Sequence, residues 1–221
     1  MYISWRHIFA ATAALGVLAG ISVCSRALAA APDNVALDKF AAIWTSLRTY
    51  TCTVKVHEAN GAHVQDRVIH ISFAKPHDTR VDIVTGDGRG GTLVWRGGDR
   101  VRGHPGGLFS AIKVDLNIRD PRVTSIRGET VAEANWGSVY EHLLSLKGAS
   151  IDAATEPDRT SVTVEVADPA SNGGVTKEVL VVDGNSLPIE YDQYEGDLQV
   201  KHVVSSDVKL NVDLPESTWS I

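Results

Sequence analysis

Histidine is the residue type in this sequence with the broadest chemical potential, because imidazole binds metals and exchanges protons near neutral pH. The chain has eight histidines and two cysteines, but they form no H-x-x-x-H or C-x-x-C motif. His57 and His70 are predicted on the polar faces of neighbouring strands, where they could pair across the turn at Asn60-Gly61. A zinc site needs three or four converging ligands. We therefore interpret these histidines as solvent-facing strand residues and predict no metal or other cofactor.

Motifs for covalent or phosphate chemistry are also missing. Ser110 follows Gly107-Leu108-Phe109, which is not the G-x-S-x-G elbow of hydrolases. The glycine-rich stretch Gly86–Gly91 precedes a predicted strand, whereas a phosphate loop needs the N-terminus of a helix. The stretch is therefore interpreted as a hairpin loop, no catalytic residue is assigned, and the protein is predicted not to be an enzyme.

The N-terminal segment indicates export. Arg6 and His7 precede an uncharged apolar run that ends at Val23, and Ala27-Leu28-Ala29 forms a small-x-small cleavage pattern. We predict a signal peptide over residues 1–29, a single domain over 30–221, and a periplasmic location. A membrane anchor is the alternative, although the apolar run is near the lower limit for a spanning helix. A lipoprotein signal at Cys24 is weaker, because Val23 stands where a small residue is expected.

The charge balance excludes some partner classes. The chain has a net charge of −6, and the predicted signal peptide contains basic residues but no acidic ones. The exported domain is therefore more acidic still, which argues against nucleic acid or an anionic membrane as the main partner. Loss of the signal peptide also leaves Cys52 as the remaining cysteine. It shares a strand face with Tyr50 and Val54, so we interpret it as a buried small hydrophobe.

Hydrophobic periodicity defines the elements. Apolar residues from Leu37 to Leu47 recur at helical spacing, with Asp33 or Asn34 as candidate caps, and a second helix is predicted from an Asn135 cap to a stop at Gly148. Residues 103–130 indicate loop, short helix and turn. Most of the remaining chain alternates with period two. Four short strands follow one another within residues 67–104, and the last two strands are predicted at 200–204 and 208–214. The predicted fold is α+β, mainly β: a curved antiparallel half-barrel of about ten strands, with helices covering the concave face.

Large apolar side chains on these faces have two interpretations. They are either ordinary core residues or the lining of a hydrophobic cavity between the helices and the curved sheet. The candidate lining residues are Trp44, Leu47, Phe73, Val81, Ile83, Trp95, Phe109, Tyr140 and Leu143.

Short motifs in this sequence resemble the LolA-like superfamily of exported proteins. The motifs are Phe73-Ala74-Lys75-Pro76, Arg80 four residues after the proline, Leu93-Val94-Trp95 before a turn, and the closing stretch 208–215. The resemblance implies a half-open barrel with helices as its lid, a hydrophobic cavity for acyl chains, and Arg80 as a polar contact to the lid. The lipoprotein carriers have an Asp-Gly turn where this chain has Gly90-Gly91.

The resemblance implies a periplasmic, non-enzymatic carrier or chaperone that binds a lipid or an acylated protein. Because the superfamily also contains sensor proteins of the RseB type, the alternative is an envelope sensor or protein-interaction module on the same fold. Its contact surface would then include the polar strand face with Thr51, Thr53, Lys55 and His57, and the loop 86–91.

Overall fold

The computed structural model describes residues 35–146 and 150–221. The predicted signal peptide, the helix caps Asp33 and Asn34, and the helix stop at Gly148 lie outside the described residues. Within these residues, no helix is long and apolar enough to cross a membrane.

The described residues form eleven strands and two α-helices, together with short 3₁₀ turns. The helices are α1 (Val35–Ser46) and α2 (Trp136–Ser145). The strands are β1 (Thr49–Asn60), β2 (His63–Ala74), β3 (Asp78–Gly86), β4 (Thr92–Trp95), β5 (Arg100–His104), β6 (Val114–Asn117), β7 (Ser150–Glu156), β8 (Arg159–Glu165), β9 (Lys177–Asp183), β10 (Pro188–Glu195) and β11 (Leu198–Leu210).

All the strands belong to one curved antiparallel sheet, in the order β6-β5-β4-β3-β2-β1-β11-β10-β9-β8-β7. The sheet consists of two meanders, β1–β6 and β7–β11, joined by the pairing of β1 with β11. The predicted fold class is confirmed: the sheet is curved and open, and helices cover its apolar face.

The predicted strand inventory needs three corrections. Strands β6 and β7 were not predicted, because β6 has only four residues and β7 is rich in small and polar residues that give weak alternation. The two strands predicted at 200–204 and 208–214 are one strand that ends at Leu210. Asp207 adopts a positive φ of 51° within it, so the strand shifts its register against β1 and continues.

Strand β1 shows how the sequence pattern becomes a core. Tyr50, Cys52 and Val54 alternate with more exposed residues and are at most 4% exposed. Burial raises the pKa of the Cys52 thiol to about 12, which keeps it protonated and unreactive, as expected for a small buried hydrophobe. The Asn60-Gly61 turn is also confirmed, since Gly61 has a φ of 58°.

The β1–β2 register separates the two histidines that could have paired. His57 lies opposite Asp66 of β2 and His202 of β11, whereas His70 lies opposite Thr53. The Nδ1 atom of His57 is 2.8 Å from Asp66 Oδ1. His57 therefore pairs with a carboxylate and not with His70.

The route of the chain between the meanders places α2. Because β6 and β7 form opposite edges of the sheet, residues 118–146, here called the crossing segment, traverse the apolar face. Val123, Val131 and Trp136 of this segment are buried in one apolar cluster, and Leu143 is buried in a second cluster with residues of α1, β8, β9 and β10.

Local signals fix the start and the packing of α2. The Asn135 side chain accepts a hydrogen bond from the backbone N of Ser138 at 3.0 Å, which confirms the predicted cap. At Gly137, an added Cβ would lie 2.2 Å from Cζ2 of Trp44. Glycine therefore permits the close contact between α2 and α1.

Candidate ligand-binding cavity

A partly open cavity of about 150 Å³ lies between the sheet and the crossing segment. Its walls are mostly aliphatic, because alternate residues of each strand point toward this face. The sheet contributes Val54, Val56, Ile69, Ile71, Val81 and Val203. The crossing segment contributes Val123, Val131, Ala134, Trp136 and Val139.

A row of polar side chains crosses the same face of the sheet next to these apolar walls. Its members are direct neighbours on five adjacent strands: Gln65, Glu58, Lys201, Gln193 and Glu178. The members of this polar row occupy inward-facing positions of their strands. At this end of the apolar face, polar and charged side chains therefore stand in positions that are aliphatic elsewhere on the face. Glu58, Glu178, Gln193 and Lys201 are each at most 8% exposed.

Glu58 occupies the part of the polar row that borders the cavity. It is 1% exposed, and burial raises the pKa of its carboxyl, opposed by the positive charges of Lys201 and Arg67. Arg67 Nη2 lies 3.3 Å from Glu58 Oε2. The Arg67 Nε atom is buried without a hydrogen-bond partner among the described residues. Arg67 also lines the cavity, with this unpaired donor enclosed in the wall.

Ion pairs attach the crossing segment to the polar row and its surroundings. Lys201 pairs with Glu129. Arg127 donates hydrogen bonds to Glu195 Oε1 at 2.8 Å and to the backbone O of Ala59 at 2.8 Å. These contacts hold residues 123–130 over the end of the cavity.

Glu178 anchors α2 at the far end of the row. It is fully buried and interacts with Nε2 of His142 at 2.9 Å, the hydroxyl of Tyr191 at 2.6 Å and Nδ2 of Asn172 at 2.8 Å. Burial would raise the pKa of Glu178, but the hydrogen bond and charge of His142, with the Tyr191 and Asn172 bonds, hold that pKa below its usual value. The same Glu178 contact raises the pKa of His142.

The nine predicted lining residues lie in several places. Val81 lines the cavity. Leu47 and Phe73 are buried in the first apolar cluster, against which Trp44, Ile83, Trp95 and Tyr140 also pack. Leu143 is buried in the second cluster, and Phe109 is 62% exposed in a 3₁₀ turn. Of the nine residues, Val81 lies in the cavity wall, seven belong to the two apolar clusters, and Phe109 is exposed.

Arg80 contacts the C-terminal segment. Its Nη1 donates to the carbonyl oxygens of Thr218 at 2.9 Å and Ser220 at 3.1 Å, and its guanidinium makes a bidentate pair with Asp82. These hydrogen bonds lead from β3 to the C-terminal segment. The arginine therefore fastens the end of the chain to β3.

Sequence reasoning missed the charged residues beside the cavity. Glu58 follows Tyr50, Cys52, Val54 and Val56 at even spacing, so strict alternation would have placed it on the apolar face. The position of Lys201 carries no such signal, because its contact with Glu58 depends on the pairing of β1 with β11.

The sequence matches no family model and no curated protein. The solved structures that are similar to it include the following three. A LolA superfamily protein from Nitrosomonas europaea is 14% identical, with coverage of 85% of this chain and 96% of that chain and a TM-score of 0.42. A DUF1329 family protein from Desulfovibrio piger is 12% identical, with coverage of 86% and 98% and a TM-score of 0.46. The lipoprotein LppX of Mycobacterium tuberculosis is 11% identical, with coverage of 83% and 98% and a TM-score of 0.42.

Proposed function

We propose that this chain is a periplasmic, non-enzymatic carrier or chaperone that binds a lipid or the acyl chain of an acylated protein in the cavity. The observation that carries the proposal is the cavity itself, with aliphatic side chains of the sheet on one side and of the crossing segment on the other. The export signal predicted from the N-terminal sequence supports the periplasmic location.

Apolar contact with the cavity walls can stabilise a bound acyl chain, and this binding needs no catalytic group. Burial of an acyl chain contributes about 0.8 kcal/mol per methylene group. A cavity of about 150 Å³ is smaller than the roughly 300–1,000 Å³ of pockets for drug-sized ligands. This size favours one acyl chain, or part of one, over a ligand with several chains. Arg67 in the cavity wall places a positive charge near the polar end of such a ligand.

A cavity-filling variant tests the proposal. Val56 is half-buried in the cavity wall, so Val56→Phe should occupy space that a ligand would need. We expect wild-type protein from periplasmic extracts to show lipid adducts in native mass spectrometry and to take up a fluorescent long-chain fatty acid, and Val56→Phe to lose most of that uptake.

The matched control is Val84→Phe, because Val84 is 49% exposed on β3 and does not line the cavity. It should bind the fatty acid as the wild type does. A wild-type protein without adducts and without uptake would overturn the proposal, as would equal uptake by Val56→Phe and wild type when circular dichroism shows both folded.

A second candidate function, an envelope interaction module, is favoured by one exposed apolar patch. Leu108, Phe109 and Ile112 are 99%, 62% and 53% exposed around the 3₁₀ turn Gly107–Phe109, and such patches often mark interaction surfaces. Crosslinking in envelope extract with wild type and Leu108→Asp tests this candidate. A stoichiometric protein partner that is lost in the variant, together with an empty cavity, would favour it over the carrier.

A further inference from the structure

Three metal-ligating side chains converge on strands β10 and β11. Glu190, Asp192 and His202 each offer one ligand atom, and these atoms all lie within 4.8 Å of one another. His202 Nδ1 is 2.6 Å from Asp192 Oδ1 and 3.9 Å from Glu190 Oε1. The three residues are called the β10–β11 cluster below.

The register of the sheet places Asp192 and His202 on the face away from the cavity, whereas Glu190 also lines the cavity. Asp192 is the direct cross-strand partner of His202. Each follows a residue that lines the cavity, Tyr191 and Lys201, so strand alternation turns Asp192 and His202 to the opposite face. The cluster therefore meets the cavity at Glu190, but zinc binding and fatty-acid uptake are separate measurements, so one proposal can fail while the other holds.

The charges of the cluster are unbalanced. Asp192 is 5% exposed, and a buried carboxylate is costly unless a positive charge or a metal compensates it. In the described part of the chain, His202 is the one basic side chain within salt-bridge distance of Asp192 and of Glu190. Even a protonated imidazole would supply one positive charge against two negative ones, whereas a divalent cation would balance both carboxylates.

A second imidazole lies next to the cluster. His57 of β1 is the direct cross-strand partner of His202, and side chains in such positions share a face with Cβ atoms about 4.5–5.5 Å apart. The hydrogen bond of His57 to Asp66 resembles the carboxylate–histidine pairs that orient imidazoles near metals. The surroundings of the cluster are therefore rich in nitrogen as well as oxygen donors.

We propose that Glu190, Asp192 and His202 bind a divalent transition-metal ion of the zinc class. One imidazole and two carboxylates form a donor set that suits zinc, and three protein ligands leave a fourth tetrahedral position for water. The metal would replace the hydrogen shared by His202 and Asp192, and these two side chains would separate slightly to allow metal–ligand bonds of about 2.0–2.2 Å.

Isothermal titration calorimetry with zinc sulfate, on full-length exported protein freed of metal by a chelator, tests the proposal. We expect one zinc ion per chain for the wild type and no comparable binding of magnesium, which prefers oxygen ligands. His202→Ala and Glu190→Gln should each weaken zinc binding at least about tenfold. His63→Ala is the matched control, because His63 is an exposed histidine at the start of β2, and it should bind zinc as the wild type does.

If His202→Ala fails to fold, Glu190→Gln still tests the proposal. This substitution removes the charge of a side chain that is 31% exposed and keeps its shape, so the fold should be retained. Cobalt substitution gives a second readout, since tetrahedral Co²⁺ with these ligands should show visible absorption bands that both variants lose. Absence of one-to-one zinc binding in the wild type, or equal zinc affinity in Glu190→Gln and wild type, would overturn the proposal.

Discussion

Tyr50 and Trp136 stack face to face, with ring centroids 4.2 Å apart and ring planes within 4° of parallel. The backbone N of Trp136 also donates a hydrogen bond to the Tyr50 hydroxyl at 3.3 Å. One residue lies on the central strand β1 and the other is the first residue of α2. This pair therefore fixes the point at which the crossing segment becomes helical, beside the cavity that Trp136 lines.

Removal of the Tyr50 hydroxyl should weaken this attachment. Tyr50→Phe keeps the ring stack but leaves a buried N–H without its acceptor, which should lower the free energy of unfolding by about 1–3 kcal/mol. Urea denaturation followed by fluorescence measures the change. Tyr140→Phe, in α2, is the control and should change stability by less than about 0.5 kcal/mol, as substitutions away from such buried contacts do. Equal stability of Tyr50→Phe and wild type would show that the hydrogen bond contributes nothing.

The contact between His142 and Glu178 should make stability depend on pH. The pKa of His142 is raised by its hydrogen bond to Glu178, so its contribution is complete below the ordinary value of 6.5 and is lost as the pH rises through the folded-state pKa. The pKa of Glu178 is lowered, so its contribution is present above the ordinary value of 4.5 and is lost as the pH falls through the folded-state pKa. The pair should therefore stabilise the fold most between these two values.

The variant His142→Ala tests this pH window. The difference in unfolding free energy between wild type and His142→Ala should be larger at about pH 5.5 than at about pH 8.5, as measured by urea denaturation at both values. Asn172 and Tyr191 also bond Glu178, and Glu129 and Lys201 act on His142 through their charges, so none of these should be changed in the experiment. A difference that is constant with pH would contradict the assignment.

Removal of the Glu58 charge should stabilise the fold, whereas removal of the Lys201 charge should destabilise it. Burial raises the pKa of Glu58, so the native state holds its proton more tightly than the unfolded state and loses stability as the pH rises above about 4.5. Glu58→Gln should therefore gain stability relative to wild type between pH 4 and pH 7. Lys201→Met should lose about 3 kcal/mol at pH 7, because it leaves Glu129 without its cation and leaves Arg67 as the remaining positive charge beside Glu58. Thermal and urea unfolding at pH 4 and pH 7 measure both variants. Loss of stability in Glu58→Gln at pH 7, or unchanged stability in Lys201→Met, would contradict these expectations.

Phe73 should contribute more to stability than Trp95, because Phe73 is buried in the core and Trp95 is partly exposed. Phe73 is 1% exposed and packs 5.3 Å from Trp44 and 5.2 Å from Tyr50 between ring centroids, so Phe73→Ala should cost about 3–5 kcal/mol. Trp95 is partly exposed, and its indole donates to the Gly98 carbonyl oxygen at 3.0 Å. Trp95→Ala should therefore cost clearly less, and neither variant removes a side chain that lines the cavity. Thermal melts with and without a fluorescent fatty acid measure the stability of each variant and the shift in melting temperature that the ligand causes. If only Trp95→Ala loses that shift, Trp95 belongs to the binding site.

Much of the fold follows from short-range patterns in the sequence. The alternation of Tyr50, Cys52 and Val54, the Asn60-Gly61 turn and the Asn135 cap each depend on residues a few positions apart, and all three have the predicted structure. The same patterns predict a curved antiparallel sheet with two helices. They do not predict β7, whose small and polar residues obtain their strand conformation from pairing with β8.

The cavity and the charged contacts of the polar row arise from contacts between distant parts of the chain. The pairing of β1 with β11 brings Glu58 opposite Lys201, and the passage of the crossing segment over the sheet brings His142 to Glu178. No local pattern encodes these contacts, because strand order depends on the total burial that the whole chain achieves. The sequence by itself therefore determines which faces are apolar, whereas the tertiary structure decides which aliphatic residues surround a space and which charges meet beside it.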